Sequence, residues 1–174
     1  MKLKFIFRFV FLPLCITGAV VLYSCSTKKN TFTSRTYHNL TTHYNVYWNG
    51  NESFKNGKAT LKESVADNYN SILKVYNFGT AEEARKINSD MDRAIEKAGI
   101  AIPRHSIFIR NVEHNKWIDD CYLLIGKAQF YKQDYNNSRR TMEFLQKQYP
   151  GSVTDLEASL WYVRSLLQQK KYED

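Results

Sequence analysis

DDCYLLIGKAQFYKQDYNNSRRTMEFLQKQYP, residues 119–150, is the most regular part of this 174-residue chain and decides its fold. It reads as two helices folded back on each other. Gly126 and Ser138 are small enough for the two helices to approach closely, and Tyr122, Ile125, Met142 and Leu145 have the bulk to fill the gaps beside them. Pro150 closes the unit, because a proline cannot continue a helix.

This pattern resembles a tetratricopeptide repeat, a helical hairpin of roughly 34 residues. Tyr122 stands at the aromatic site usually held by Trp, and Ile125-Gly126 at the Leu-Gly pair. Ser138 takes the small site of the second helix, Met142 the large apolar site, Leu145 the usual Ala site and Pro150 the closing proline. Gln129 departs from the expected aromatic, although Phe130 and Tyr131 follow it. A second copy begins with a Thr154–Glu157 capping box and runs to Asp174, with Tyr172 answering Tyr135 at a spacing of 37. Its partner helix is missing, so the expectation is that the chain continues beyond Asp174; a natural end with a frayed last helix is the alternative. The resemblance implies an all-α fold of antiparallel hairpins stacked as a short right-handed solenoid. Its concave face would carry Lys127, Phe130 and Tyr131, joined by Arg164 and Leu167 from the next repeat. The competing reading packs both aromatics between repeats and leaves the cations solvated.

Residues 35–116 read as an N-terminal helical region with a degenerate repeat-like hairpin. Tyr37, Leu40, Tyr44, Tyr47, Trp48 and Phe54 recur at helical steps and are expected to face the core of a helix over 34–56. Asn56-Gly57 would turn the chain into a second helix ending near Ala66. Residues 67–79 are rich in turn formers and read as extended or irregular. Thr80 with Glu83 forms a capping box, and Ser89 with Asp92 is expected to repeat it ahead of Met91, Ile95, Ala98 and Ile102. Pro103 disturbs or ends that helix, and residues 104–116 read as a polar loop.

The amino terminus carries a different signal. Lys2, Lys4 and Arg8 precede 14 largely apolar residues from Phe9 to Leu22, and Leu22-Tyr23-Ser24-Cys25 has the pattern of a bacterial lipobox, with an untypical tyrosine. Cleavage would remove residues 1–24 and leave Cys25 acylated, with residues 25–34 as a polar tether. An uncleaved anchor or ordinary secretion is the alternative. The apolar run is shorter than the ~20 residues a spanning helix needs, and Pro13 and Gly18 interrupt it. Ser26 in place of Asp favours the outer membrane, on its periplasmic face, by analogy with bacterial sorting rules.

The signal holds three of the 25 Lys and Arg and none of the 17 Asp and Glu, so the mature charge is 22 − 17 = +5. No dense basic run with interleaved aromatics points to nucleic acid. Cys15 leaves with the signal and Cys25 is spent on lipid, so Cys121 stands alone, most simply as a small buried apolar residue. His38 and His43 are five apart and turn to different helix faces, while His105 and His114 fall in the loop, so no metal ligand set is expected. Glu82-Glu83 and Asp119-Asp120 each open a helix, where the dipole favours them. No nucleophile motif or phosphate loop occurs, and the reading is of a non-enzyme without cofactor or small-molecule substrate.

Four strings together are similar to the SprE/PorW lipoproteins of the type IX secretion and gliding apparatus: the Cys-Ser-Thr-Lys-Lys-Asn start at Cys25, the Tyr-His-Asn-Leu run from Tyr37, Asp-Met-Asp-Arg from Asp90 and Trp-Ile-Asp-Asp-Cys from Trp117. The resemblance spans nearly the whole mature chain and implies the N-terminal part of a longer, multi-repeat periplasmic scaffold. Its partners would be other envelope proteins, chiefly secretion-machine components. The alternative function is a general envelope-assembly lipoprotein serving β-barrel assembly or a peptidoglycan enzyme. Cys25→Ala is expected to abolish palmitate labelling and release the protein from the membrane fraction, as metabolic labelling and fractionation would read directly.

Overall fold

The computed structural model describes residues 29–65, 69–70, 72–73 and 76–170. The signal segment 1–24, Cys25, residues 25–28 of the tether, several positions of the 67–79 stretch and Tyr172 lie outside the described residues. The described chain is all-α apart from one short β-hairpin.

Helix α1 (Phe32–Thr41) opens at Thr31, whose side chain accepts a hydrogen bond from the Ser34 amide. The polar tether therefore ends before Phe32 and does not reach residue 34. A π-helical segment, Thr42–Tyr47, follows, and the Thr42 hydroxyl donates to the carbonyl of His38 at 2.7 Å. Such a back-bond to the carbonyl four residues earlier tends to bend a helix. Helix α2 (Trp48–Ser64) then runs straight through Asn56-Gly57. The expected turn is absent because Gly57 serves close packing: a Cβ there would lie 2.5 Å from the Met91 methyl.

The aromatic stripe expected in the core faces outward instead. Tyr37, Leu40, Tyr44 and Trp48 are exposed, and of that set Phe54 alone is fully buried. The inward face carries Ser34, His38 and Thr42.

Helix α3 (Ala81–Lys86) starts at the Thr80–Glu83 capping box, with both reciprocal bonds present. Helix α4 (Asn88–His105) starts after Ile87, which is fully buried. Ser89 thus lies inside the first turn and caps nothing. Pro103 sits in the last turn, and the helix ends two residues later. The stretch expected to be a loop contains a hairpin, β1 (Phe108–Ile109) and β2 (Val112–Glu113), paired antiparallel with Ile109 opposite Val112. Its two-residue turn, Arg110-Asn111, has positive φ at both positions, as a type I′ turn requires. The Glu113 carboxylate accepts from the amides of Ile107 and Asn115 and from the Ser106 hydroxyl.

Helices α5 (Ile118–Tyr131), α6 (Tyr135–Gln148) and α7 (Val153–Gln168) complete the fold. Asp134 caps α6. The cap of α7 is Ser152, bonded to the Asp155 amide, and the box expected at Thr154 and Glu157 does not form. Both of those side chains bond across to α5 instead: Thr154 donates to Asp119 at 2.8 Å, and Glu157 accepts from Lys127 at 2.8 Å.

Cross-helix contacts fix the directions. Gly50 meets Ala94 and Lys97 while Gly57 meets Met91, so α2 and α4 run antiparallel. Gly126 meets Ser138 and Met142 while Tyr122 meets Phe144 and Tyr149, so α5 and α6 do the same. Gln146 bonds Ser159 and Asn136 bonds Gln169, making α7 antiparallel to α6. Gly50 touches Leu124 and Phe54 touches Tyr131, and Thr154 and Glu157 reach Asp119 and Lys127, so α2, α5 and α7 lie parallel. One continuous core joins them, centred on Ala94, Ala98, Cys121, Leu124, Ala128, Phe130, Met142, Leu145 and Ala158.

The α5–α6 contact is close at bare backbone. The Ser138 hydroxyl donates to the Gly126 carbonyl at 2.8 Å, and a Cβ on Gly126 would fall 2.5 Å from the Met142 methyl. Gly126→Leu should therefore lower stability by about 1–3 kcal/mol through overpacking, measured as a drop in the urea midpoint with an unchanged slope.

Candidate functional site

The parallel helices α2, α5 and α7 share one face, and the residues assigned to a concave surface divide there. Phe130 is 1% exposed and Tyr131 is also buried, so both belong to the core, not to an open face. Phe130 packs edge-on against Trp161, Tyr135 and Phe78, and Tyr131 against Phe54. The two cations do lie on the face. The Lys127 ammonium sits over the rings of Phe54 and Trp161, at 5.7 and 5.8 Å, and pairs with Glu157. The Arg164 guanidinium lies over Trp161 and Tyr76, at 4.6 and 4.7 Å. Tyr76 stacks on Phe78, so the connection between α2 and α3 already covers this aromatic end. Leu167 is exposed on the far side of α7.

The other end of the face is acidic. Burial, reinforced by Asp119 and Glu157, pushes the Asp120 carboxyl up to about 6. Burial also pushes Glu157 upward, but hydrogen bonds from Lys127 and Trp161 outweigh it and hold that carboxyl below its ordinary value. Tyr47, half-buried beside Asp120, is raised to about 12, chiefly by burial. A half-buried carboxylate thus stands beside one paired with Lys127.

The outward face of α7 carries Val153, Leu156, Leu160, Val163 and Leu167, all exposed and spaced at alternating steps of three and four. That spacing makes one apolar seam along a helix. Leu156, Leu160 and Val163 follow Tyr122, Gly126 and Gln129 at one constant offset, 156 − 122 = 34. Those three residues of α5 are the ones that meet α6, through Phe144, Met142 and Thr141. Likewise Ala158 and Trp161, which answer Leu124 and Lys127 at the same offset, face inward. Helix α7 thus repeats α5 in a tighter register than the Tyr135–Tyr172 spacing suggests, and its seam is the surface on which α5 seats α6. Tyr122, Ile125, Gly126, Ser138, Met142 and Leu145 all lie in or against the α5–α6 contact and the core, while Pro150 is exposed beyond α6.

One pairing has no signal in the sequence. His38 and His105 are buried with their Nδ1 atoms 2.9 Å apart, one donating and the other accepting. Asn115, 1% exposed, donates from its amide to Thr42 Oγ1, to the His105 carbonyl and to the His38 carbonyl. Burial lowers both histidines from their ordinary value, and the nearby His38 ring further disfavours charge on His105. Their folded pKa values lie below the unfolded ones, so this contribution is present above about pH 6.5 and lost as the pH falls. His43 stacks face to face on Trp117 at 3.7 Å. Among the described residues, no group of three or more His, Cys, Asp or Glu is placed to hold a metal ion. Cys121 is buried and its thiol is pushed upward by burial, which suits a packing residue.

No model of a known protein family matches the chain, and no curated protein matches it.

Asp120 behaves oppositely to the histidines. Its folded pKa is raised, so its favourable contribution is complete below the ordinary carboxylate range and is lost as the pH rises through about 6. Asp120→Asn should stabilise the protein by about 1–2 kcal/mol near pH 8, with the gain vanishing toward about pH 4. Denaturant titrations of both proteins across that range would reveal it.

Proposed function

We propose that this protein is a lipid-anchored scaffold of tetratricopeptide type, held by Cys25 at the periplasmic face of the outer membrane and engaged in type IX secretion or gliding. The observation that carries the binding role is the seam of Leu156, Leu160 and Val163, which copies the α6-seating surface of α5 one repeat later. Its offset matches the period of about 34 residues that defines that repeat class. The parallel run of α2, α5 and α7, alternating with α4 and α6, supports the same reading, as stacked hairpins place every first helix side by side. The occupant of the seam is an amphipathic helix lying antiparallel to α7, in the place α6 takes on α5, supplied by a partner or by a continuation of this chain. The acidic end around Asp120 and Glu157 gives the shared face a preference for partners presenting cations there.

The lipid anchor rests on the Leu22-Tyr23-Ser24-Cys25 string and the secretion role on the four strings quoted above. Among the described residues no helix is long and apolar enough to cross a membrane.

Crosslinking in intact cells followed by capture of the tagged chain tests the role. Ring and translocon components of the secretion machine are the expected catch. Barrel-assembly proteins or peptidoglycan enzymes in their place would assign the scaffold to general envelope assembly. Leu160→Asp, at an exposed position, should leave the melting curve of this chain within about 0.5 kcal/mol of the parent while removing the captured partners; capture unchanged by that substitution would rule out the seam as a partner site.

A further inference from the structure

The amphipathicity of the first helical rod is inverted. Along α1, the π segment and the start of α2, the fully buried positions are Ser34, His38, Thr42 and Gly50, with Val46 and Tyr47 partly buried against the core, whereas Phe32, Leu40, Tyr44 and Trp48 face solvent at 79%, 53%, 67% and 51% exposure. A helix of a globular domain turns its apolar side inward. Here the inward side is fixed by polar bonds to Asn115 and His105, so the aromatic side is held outward.

The π segment keeps that outward row straight. A four-residue step overshoots a full α-helical turn by roughly 40°, so positions 32, 36, 40, 44 and 48 would wind around a regular helix. A π turn is wound wider and undershoots on the same step. With Thr42–Tyr47 in π form, Leu40, Tyr44 and Trp48 stay on one side of the rod.

The charge of this region is one-sided. No Asp or Glu occurs before Glu52, and Glu52 is paired with Lys55, whose ammonium also lies 5.5 Å from the Trp48 ring. Lys28, Lys29 and Arg35 lie between Cys25 and the end of α1. A groove of about 510 Å³ is lined by Phe32, Leu40 and Trp117 together with Arg35 and Lys116. Aromatic and aliphatic side chains flanked by cations are the chemistry of a helix lying in the headgroup region of an anionic bilayer.

We propose that the Leu40–Tyr44–Trp48 row, with Phe32 across the groove beside Leu40, is a membrane-docking face that lays the first helix flat on an anionic phospholipid surface. The short stretch from Cys25 to Phe32 has a reach of at most about 24 Å, so a chain acylated at Cys25 would hold this face at the bilayer. In that respect the inference rests on the lipid-anchor reading. The docking face adds a second contact to the acyl chains and fixes which side of the molecule looks away from the membrane.

The test uses the full chain in vesicles of phosphatidylethanolamine and phosphatidylglycerol, with and without acyl chains brominated near the headgroup. The emission lost in Trp48→Phe identifies the signal of Trp48. Brominated lipid is expected to quench that signal roughly twofold or more, as for an interfacial indole, and replacing phosphatidylglycerol by a neutral lipid should weaken the effect. Leu40→Glu with Tyr44→Glu, both at exposed positions, should remove the quenching while leaving the circular dichroism melt unchanged. Palmitate labelling of the same preparations separates the two claims. Labelled protein whose Trp48 is not quenched overturns the docking face and spares the anchor. Quenched Trp48 in unlabelled protein upholds the face and removes the anchor. Trp48 left unquenched in vesicles but crosslinked to an envelope protein in cells would assign the row to a protein partner and also overturn the proposal.

Discussion

Close backbone approach at a few small residues is the constraint on which the rest of the structure depends. Gly50 and Gly57 admit α4 to α2, and Gly126 with Ser138 admits α6 to α5; in two of these contacts a methionine methyl lies where a Cβ would stand. Helices this close gain dense dispersion contacts between their flanking side chains, and Met91 and Met142, with three rotatable bonds each, fill what irregular space remains. Alanines on α4, at 94, 98 and 101, continue the same surface. The one described cysteine, Cys121, is free, so packing carries the stability.

Of the exposed large apolar side chains, one row follows α1 and the start of α2 and another follows α7; the others lie on the α2–α3 connection, the hairpin and α6. The first sits next to the cationic segment after Cys25, the second on the last described helix. A molecule with these two rows has one side chemically suited to lipid headgroups and another with the spacing that seats a helix. Between them, the shared face of α2, α5 and α7 is largely self-satisfied: Lys127 is held by Glu157 and two rings, and Tyr76 and Phe78 lie over its aromatic end.

The helical class and the α5–α6 hairpin were legible because both rest on local signals. Gly126, Ser138 and Met142 have the spacing that two close helices demand, and Thr80 with Glu83 has the form of a capping box whatever surrounds it. What failed were inferences that needed the third dimension. Asn56-Gly57 has the composition of a turn, and only the presence of α4 opposite explains why a helix keeps a glycine there. The aromatic stripe from Tyr37 to Trp48 has core periodicity, but its opposite face is tied down by Asn115 and His105, which lie far along the sequence. Phe130 and Tyr131 read equally well as groove lining or as filler; Phe78, from a connection without periodicity, decides for filler. Thr154 and Glu157 have capping-box spacing but are drawn to Asp119 and Lys127 on a neighbouring helix.

Nuclear Overhauser spectroscopy on protein carrying ¹³C-labelled methionine methyls tests the account most directly. Close helix approach at bare backbone places the Met142 methyl against the α-protons of Gly126 and the Met91 methyl against those of Gly57. Cross-peaks for both pairs are the result expected. Their joint absence in folded protein would show that these helices do not meet at their glycines, and the stacking built on that contact would fall.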